Sequence, residues 1–228
     1  TAVPLALLVL IRPTNAVAVL IPMFWGAKPS EILHRIRLFI LEWRWILVFG
    51  LAFAALILPQ ILYWKMVTGN YVVYSYGDEG FTYWNRPKML QVLFSHQNGW
   101  LTYSPVMLFP LAGLFGMIRS KQYNWLLPTI MLVIITYIFG SWWAWWFGGA
   151  YGHRCYVDFL PVFAIPFGYA IQRMENWTTL MKVGTGGILL ILVFINIRMS
   201  DFYMGMWDGP DWTWLSYIEK LRQVFYIN

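Results

Sequence analysis

The sequence predicts an all-α fold, a polytopic transmembrane helical bundle with extracytoplasmic loops and one interfacial amphipathic helix. Three observations carry that expectation. The chain is 60% hydrophobic and 20% aromatic with only 11% charged residues, too apolar for a soluble domain of 228 residues. Trp45–Trp64 runs for a full bilayer thickness without one charge. The basic residues gather in short loops beside apolar runs, as they do where charge sets orientation in a membrane.

About six spans are expected within one transmembrane domain covering 1–228. Residues 2–26 form a first span broken at Arg12-Pro13-Thr14-Asn15, because proline removes a backbone donor and disfavours helical geometry at Arg12. Between Lys28 and Arg44, the apolar residues Ile32, Leu33, Ile36, Phe39, Ile40 and Trp43 recur at helical spacing. His34, Arg35, Arg37 and Arg44 fall largely on the other side, which reads as a basic helix lying on the membrane surface. The remaining spans are expected at 45–64, 100–118, 124–143, 156–172 and 180–197, with bends at Pro59, Pro161 and Pro166. An extracytoplasmic tail, 198–228, carries Asp201, Trp207, Asp208, Asp211, Trp212 and Trp214 before a short amphipathic end, Leu215–Phe225. Alternating the spans puts the denser group of basic residues (27–44, 119–123, 173–182) in the cytoplasm and the loops 65–99, 144–155 and 198–228 outside. The chain opens at Thr1 directly into an apolar run, with neither a start Met nor a signal peptide, so a C-terminal fragment of a longer protein is expected.

A formal charge of +6 would suggest nucleic acid for a soluble protein. Here the placement of the cations favours orientation and membrane lipid instead, and no nucleic-acid partner is expected. The single Cys155 excludes an internal disulfide and a cysteine-based zinc site, and His34, His96 and His153 have no metal-ligand spacing.

The candidate site is Ser141–Asp158. Trp142, Trp143, Trp145 and Trp146 suit a bilayer interface, while Gly148, Gly149 and Gly152 allow a tight turn or close approach to a ligand. Behind them stand Tyr151, His153, Arg154 and Asp158. A belt of tryptophans explains the rings alone; the glycines and charges point to a lipid-headgroup or substrate site. Arg12 at its helix break either neutralises a carboxylate or phosphate or snorkels to the interface. In the loop 65–99, Asp78 and Glu79 between glycines could bind a cation or act as a base, or form a solvated turn paired with Arg86 and Lys88. No cofactor is assigned; a divalent metal at these acids is conceivable but has no ligand motif behind it.

Four segments in order, Leu10–Asn15, Tyr76–Phe81, Leu93–Ser95 leading to Gly99–Pro105, and Trp142–Asp158 with its WW-x-WW-x-GG-x-YG-x-R run, together resemble the C-terminal part of bacterial GT-C-fold integral-membrane glycosyltransferases. These are relatives of the protein O-mannosyltransferases and of the lipid A aminoarabinose transferase. The resemblance implies transfer of a sugar from a polyprenyl-phosphate carrier to an acceptor outside the bacterial cytoplasmic (inner) membrane, the sugar and acceptor being unspecified. It also implies that the catalytic carboxylate lies in an outer loop upstream of Thr1, so Asp78 and Glu79 are not assigned that role. The expected carrier-phosphate ligand is Arg154, whose planar fork can engage two phosphate oxygens, with His153 and Tyr151 assisting. Asp158 is expected to orient Arg154 or meet the sugar, and Arg12 is a second candidate. Fixed cations at a leaving phosphate lower a barrier by about 3 kcal/mol per donor. A transporter or flippase, another carrier-lipid enzyme such as an oligosaccharide ligase, and a subunit merely anchored by its tryptophans are the rival readings.

Overall fold

A computed structural model describes residues 2–204, 207, 209 and 211–225. Asp208, one of the tail acids, lies outside the described residues. The described chain is helical with no strand, and it divides into two compact units: residues 1–80 with 123–131, and 81–122 with 132–228.

The first unit begins with α1 (Ala2–Ile11), a 3-10 stretch over Pro13–Val19 and α2 (Leu20–Phe24). The break falls where Pro13 demands it: Arg12 is extended at φ −153° and ψ 121°. A second 3-10 turn, Pro29–Glu31, leads to α3 (Ile32–Leu41), and the segments Pro13–Phe24 and Pro29–Leu41 meet at 97°. Ile32, Ile36 and Phe39, one stripe of α3, line a small hollow with Met23 and Phe24. Arg35, expected on the polar face, turns back instead. Its Nη1 donates to the carbonyls of Trp25 at 2.8 Å and Met23 at 3.3 Å, satisfying acceptors that the end of α2 leaves open. At the corner, Gly26 sits at φ +64°, its N–H donating to Asn124 Oδ1 at 2.9 Å, and a Cβ there would collide with the Tyr123 hydroxyl.

α4 (Trp43–Thr68) contains Pro59 within its length and stops at Gly69, whose left-handed φ of +79° lets its N–H return to the Lys65 carbonyl. α1 packs along one side of α4, yet no residue of its most apolar 18-residue window is buried. A helix of this length that is apolar all round and nowhere buried is suited to lipid.

In the second unit, α5 (Met89–Phe94) and α6 (Trp100–Tyr103) precede a 3-10 turn at Pro105–Met107 and α7 (Leu108–Arg119). α8 (Leu126–Ser141) begins among the residues of the first unit and ends in the second. It buries a stripe at every fourth residue, Leu127, Met131, Ile135 and Phe139. The segment 81–88 docks on the end of α8: Tyr83 N–H donates to Ser141 O at 2.9 Å, Lys88 N–H to Gly140 O at 2.8 Å, and Tyr137 Oη to Trp84 O at 2.6 Å. A 3-10 stretch, Arg154–Phe159, feeds α9 (Leu160–Met174), with Pro161 in its first turn, where a missing N–H costs nothing. α7 and α9 pack closely because Gly113 lies against the Pro166 backbone and Gly116 against the Tyr169 ring. α10 (Thr179–Asp201) is capped by Thr178, and α11 (Trp214–Gln223) by Thr213, which exchanges bonds with Ser216.

Three of the described helices are long and apolar enough to cross a membrane: Trp43–Thr68, Arg154–Met174 and Thr179–Asp201. A fourth arises if Pro13–Phe24 and Pro29–Leu41 form one bent span. The sequence expected six. Ala2–Ile11, Pro105–Arg119 and Leu126–Ser141 are apolar but shorter, and the run expected at 100–118 is interrupted at Ser104, which Pro105 holds out of the helical region at φ −131° and ψ 61°.

Candidate functional site

The interruption at Ser104-Pro105 sets up the site. Proline offers no N–H and the following helix starts afresh, so backbone carbonyls at the end of α6 lose their usual partners. Side chains from distant elements take them up. Tyr217 Oη donates to Thr102 O at 2.8 Å, and Tyr103 O accepts from Tyr151 Oη at 3.3 Å and from Asn196 Nδ2. Tyr103, fully buried, is also bound through its own hydroxyl, which donates to His96 O at 2.5 Å and accepts from Trp212 Nε1 at 2.9 Å. Trp207 stacks on Trp212 with centroids 4.8 Å apart, completing an aromatic cluster around Tyr103. The loop before Arg154 is fitted to this cluster by Gly152, whose φ is +69° and where a Cβ would lie 3.2 Å from Tyr103 Cβ.

Against this frame opens a cleft of about 190 Å³. Its polar lining is Ser104, Tyr151, His153 and Arg154, and its apolar wall includes Trp100 and Tyr156. Those two rings are stacked almost in parallel, centroids 4.1 Å apart at 5°, and Tyr156 Oη is bonded to Thr136 Oγ1 at 2.7 Å. Arg154, the first residue of the span-length helix Arg154–Met174, is exposed, as are Val157 and Leu160 further along the same wall. A cation is thus presented at the start of a lipid-length helix, in a space far larger than the roughly 10–15 Å³ one water needs.

His153 differs from its neighbour. It is 4% exposed, ringed by Phe139, Phe147 and Tyr156, and its Nε2 lies 3.0 Å from the Trp145 carbonyl. A carbonyl only accepts, so Nε2 carries the hydrogen and Nδ1 keeps a bare lone pair, which has no hydrogen-bond partner among the described residues. Burial pushes the imidazole down to about 4, and the charge of Arg154 pushes the same way, so at neutral pH the ring is uncharged. His153 brings the cleft no positive charge, and its Nδ1 is itself buried.

Of the residues singled out from sequence, the structure gathers Tyr151, His153 and Arg154 on one cleft. Asp158 follows one turn later, exposed, and does not line it. Arg12 is half-buried at its helix break in the first unit, beside the buried Asn15. Asp78 and Glu79 are exposed on a turn of the first unit, where Tyr74 Oη donates to Glu79 O at 2.5 Å. Arg86 is exposed and Lys88 half-buried in the docked segment of the second unit, Lys88 Nζ lying 4.9 Å from the Tyr83 ring centre. Among the described residues no three His, Cys, Asp or Glu converge on a common point that could hold a metal. The sequence reading missed Trp100, Ser104 and Tyr156 as parts of the site. Ser104-Pro105 was the available signal, since a proline inside an apolar run marks freed carbonyls.

Fold and cleft together define a helical membrane protein with an aromatic-walled cleft at the start of one span-length helix. No family model, curated protein or solved structure matches the chain.

Proposed function

We propose that this chain is the carrier-binding part of a GT-C-type membrane glycosyltransferase, which moves a sugar from a polyprenyl phosphate to an acceptor on the outer face of the bacterial cytoplasmic membrane. The observation that carries the reading is Arg154: an exposed guanidinium on an open cleft, at the first turn of a helix long enough to cross the bilayer. A polyprenyl phosphate needs that combination, because its tail stays in lipid while its anionic head requires a cation at the interface. The division of labour follows from charge. Arg154 meets the phosphate and stabilises it as negative charge grows on departure, and Tyr151 lines the same space. Neutral His153 is unsuited to an anion, and its buried ring forms part of the cleft wall. Trp100 and Tyr156 supply an apolar wall for a sugar face or the first isoprene unit. No general base is assigned within this chain, and Asp158 stays outside the cleft wall.

The same proposal includes six membrane passes, with Trp100–Tyr103 and Pro105–Arg119 acting as one interrupted pass and the segments 27–44, 119–123 and 173–182 cytoplasmic. Transfer by the full-length protein tests it. Arg154→Ala is expected to lose transfer by on the order of a hundredfold, and Arg154→Lys to recover part of it. Unchanged turnover in both variants removes the assignment. A second reading, transport of the carrier lipid, is favoured by one observation, the 97° bend between Pro13–Phe24 and Pro29–Leu41, since broken helices line substrate paths in transporters. Vesicle flipping assays without acceptor separate the two.

A further inference from the structure

The C-terminal helix α11 presents three faces. Tyr217, Leu221 and Val224 pack on the Tyr103 cluster, joined there by Ile195, Met199 and Phe202 from the end of α10. Ser216, Glu219, Lys220 and Gln223 make a polar side. Between them runs a third stripe, Leu215, Ile218 and Phe225, which is apolar yet 66%, 41% and 59% exposed, with Trp214 at its head and the long Arg222 side chain on the same side one turn after Ile218. In water this stripe would be a liability, and no described residue covers it.

Its position along α10 says what covers it. α10 has 23 residues, about 34 Å at 1.5 Å per residue, against a hydrocarbon core of about 30 Å. Centred in such a core, α10 brings Met199 and Phe202, on which α11 rests, to one surface of the bilayer, with Ile195 one turn deeper. Val193, Phe194 and Ile197, on the turns of α10 that lead up to Met199, are themselves exposed apolar residues, so the exposed stripe of α11 continues a surface already turned to lipid. Lys220 and Arg222 in the last turn suit the headgroup layer and also complement the helix dipole.

We propose that α11 lies in the membrane surface, its Leu215–Ile218–Phe225 stripe among the acyl chains and its Glu219–Gln223 side in water. Because Tyr217 and Trp212 hold the freed carbonyls and hydroxyl around Tyr103, which in turn receives Tyr151, lipid contact by α11 braces one wall of the cleft. The occupant is the bilayer itself; a second copy or another protein is excluded by the outcome below.

The test places a nitroxide at Leu215→Cys, Ile218→Cys, Glu219→Cys and Gln223→Cys, one at a time in a Cys155→Ser background. The whole protein is reconstituted in phosphatidylcholine–phosphatidylglycerol vesicles. Collision with oxygen, which partitions into lipid, is compared with collision with a water-soluble nickel chelate. Oxygen should dominate at 215 and 218 and nickel at 219 and 223, a reversal within one turn. Nickel dominance at all four positions overturns the proposal. Shielding of 215 and 218 from both reagents also overturns it, because that signature means a protein covers the stripe. The labelled positions are exposed, so misfolding of the variants does not enter, and thermal unfolding like that of the parent checks this.

Discussion

Tyr71–Gly80 and Trp142–Arg154 are both loops of aromatic rings, glycines and charged groups. In the first, Tyr71, Tyr74 and Tyr76 are each more than half exposed, and a Cβ on Gly77 at φ +59° would meet nothing within 4 Å. In the second, Trp145 and His153 are buried, and Gly152 at φ +69° presses on Tyr103. The ingredients are alike, and what separates the loops is what each can pack against. The second ends over a broken helix whose freed carbonyls recruit side chains from afar, whereas the first follows α4, none of whose residues is buried. Aromatic content identifies neither a site nor a core until neighbours are known.

Four comparisons sharpen or break that contrast, each read as thermal or denaturant unfolding of the purified protein. Trp100→Ala removes a nearly fully buried ring stacked on Tyr156 and should cost about 3–5 kcal/mol, while Tyr71→Ala in the exposed loop should cost about 0.5 kcal/mol. Equal costs would erase the distinction. Acidification should act through His153. Its folded value of about 4 lies below the unfolded value near 6.5, so the neutral ring's contribution is intact above about pH 6.5. It is lost progressively as pH falls toward 4, by about 3 kcal/mol at most, and His153→Gln should remove that part of the slope. Next, Gly152→Ala should cost about 2 kcal/mol from the left-handed backbone plus the contact with Tyr103, and Gly77→Ala about 1 kcal/mol from the backbone alone. The smallest effect is expected for Asp78→Asn with Glu79→Gln, within about 0.5 kcal/mol, because both acids stand in solvent.

Much of the helical layout was legible. Trp45–Trp64 became the core of Trp43–Thr68, and Pro13 broke the first helix where steric rules require, whereas the caps at Thr178 and Thr213 emerged only from the structure. The run at 100–118 was read as one unbroken stretch because apolar composition outweighed Ser104-Pro105, although that dipeptide announced the interruption. The second half of the site was illegible for a different reason. Trp100 meets Tyr156, and Tyr103 meets Tyr151, Asn196 and Trp212, across separations of roughly half the chain or less that leave no local periodicity to read. Arg154 was legible as a cation among glycines, and its exposure on a cleft follows from packing that only coordinates supply. The neutrality of His153 likewise comes from Phe139, Phe147 and Tyr156, none of which its immediate neighbours foretold as a cage.

The central claim is that Arg154 holds an anionic lipid head at the start of a membrane-length helix. Its most direct test is the affinity of the full-length protein in nanodiscs for a polyprenyl phosphate, wild type against Arg154→Ala. A charge-assisted bond is worth about 1.5–3 kcal/mol, so binding should weaken roughly tenfold to a hundredfold, with unfolding unchanged because the side chain is exposed. Equal affinity in the two proteins, or no binding by the wild type, would contradict the account.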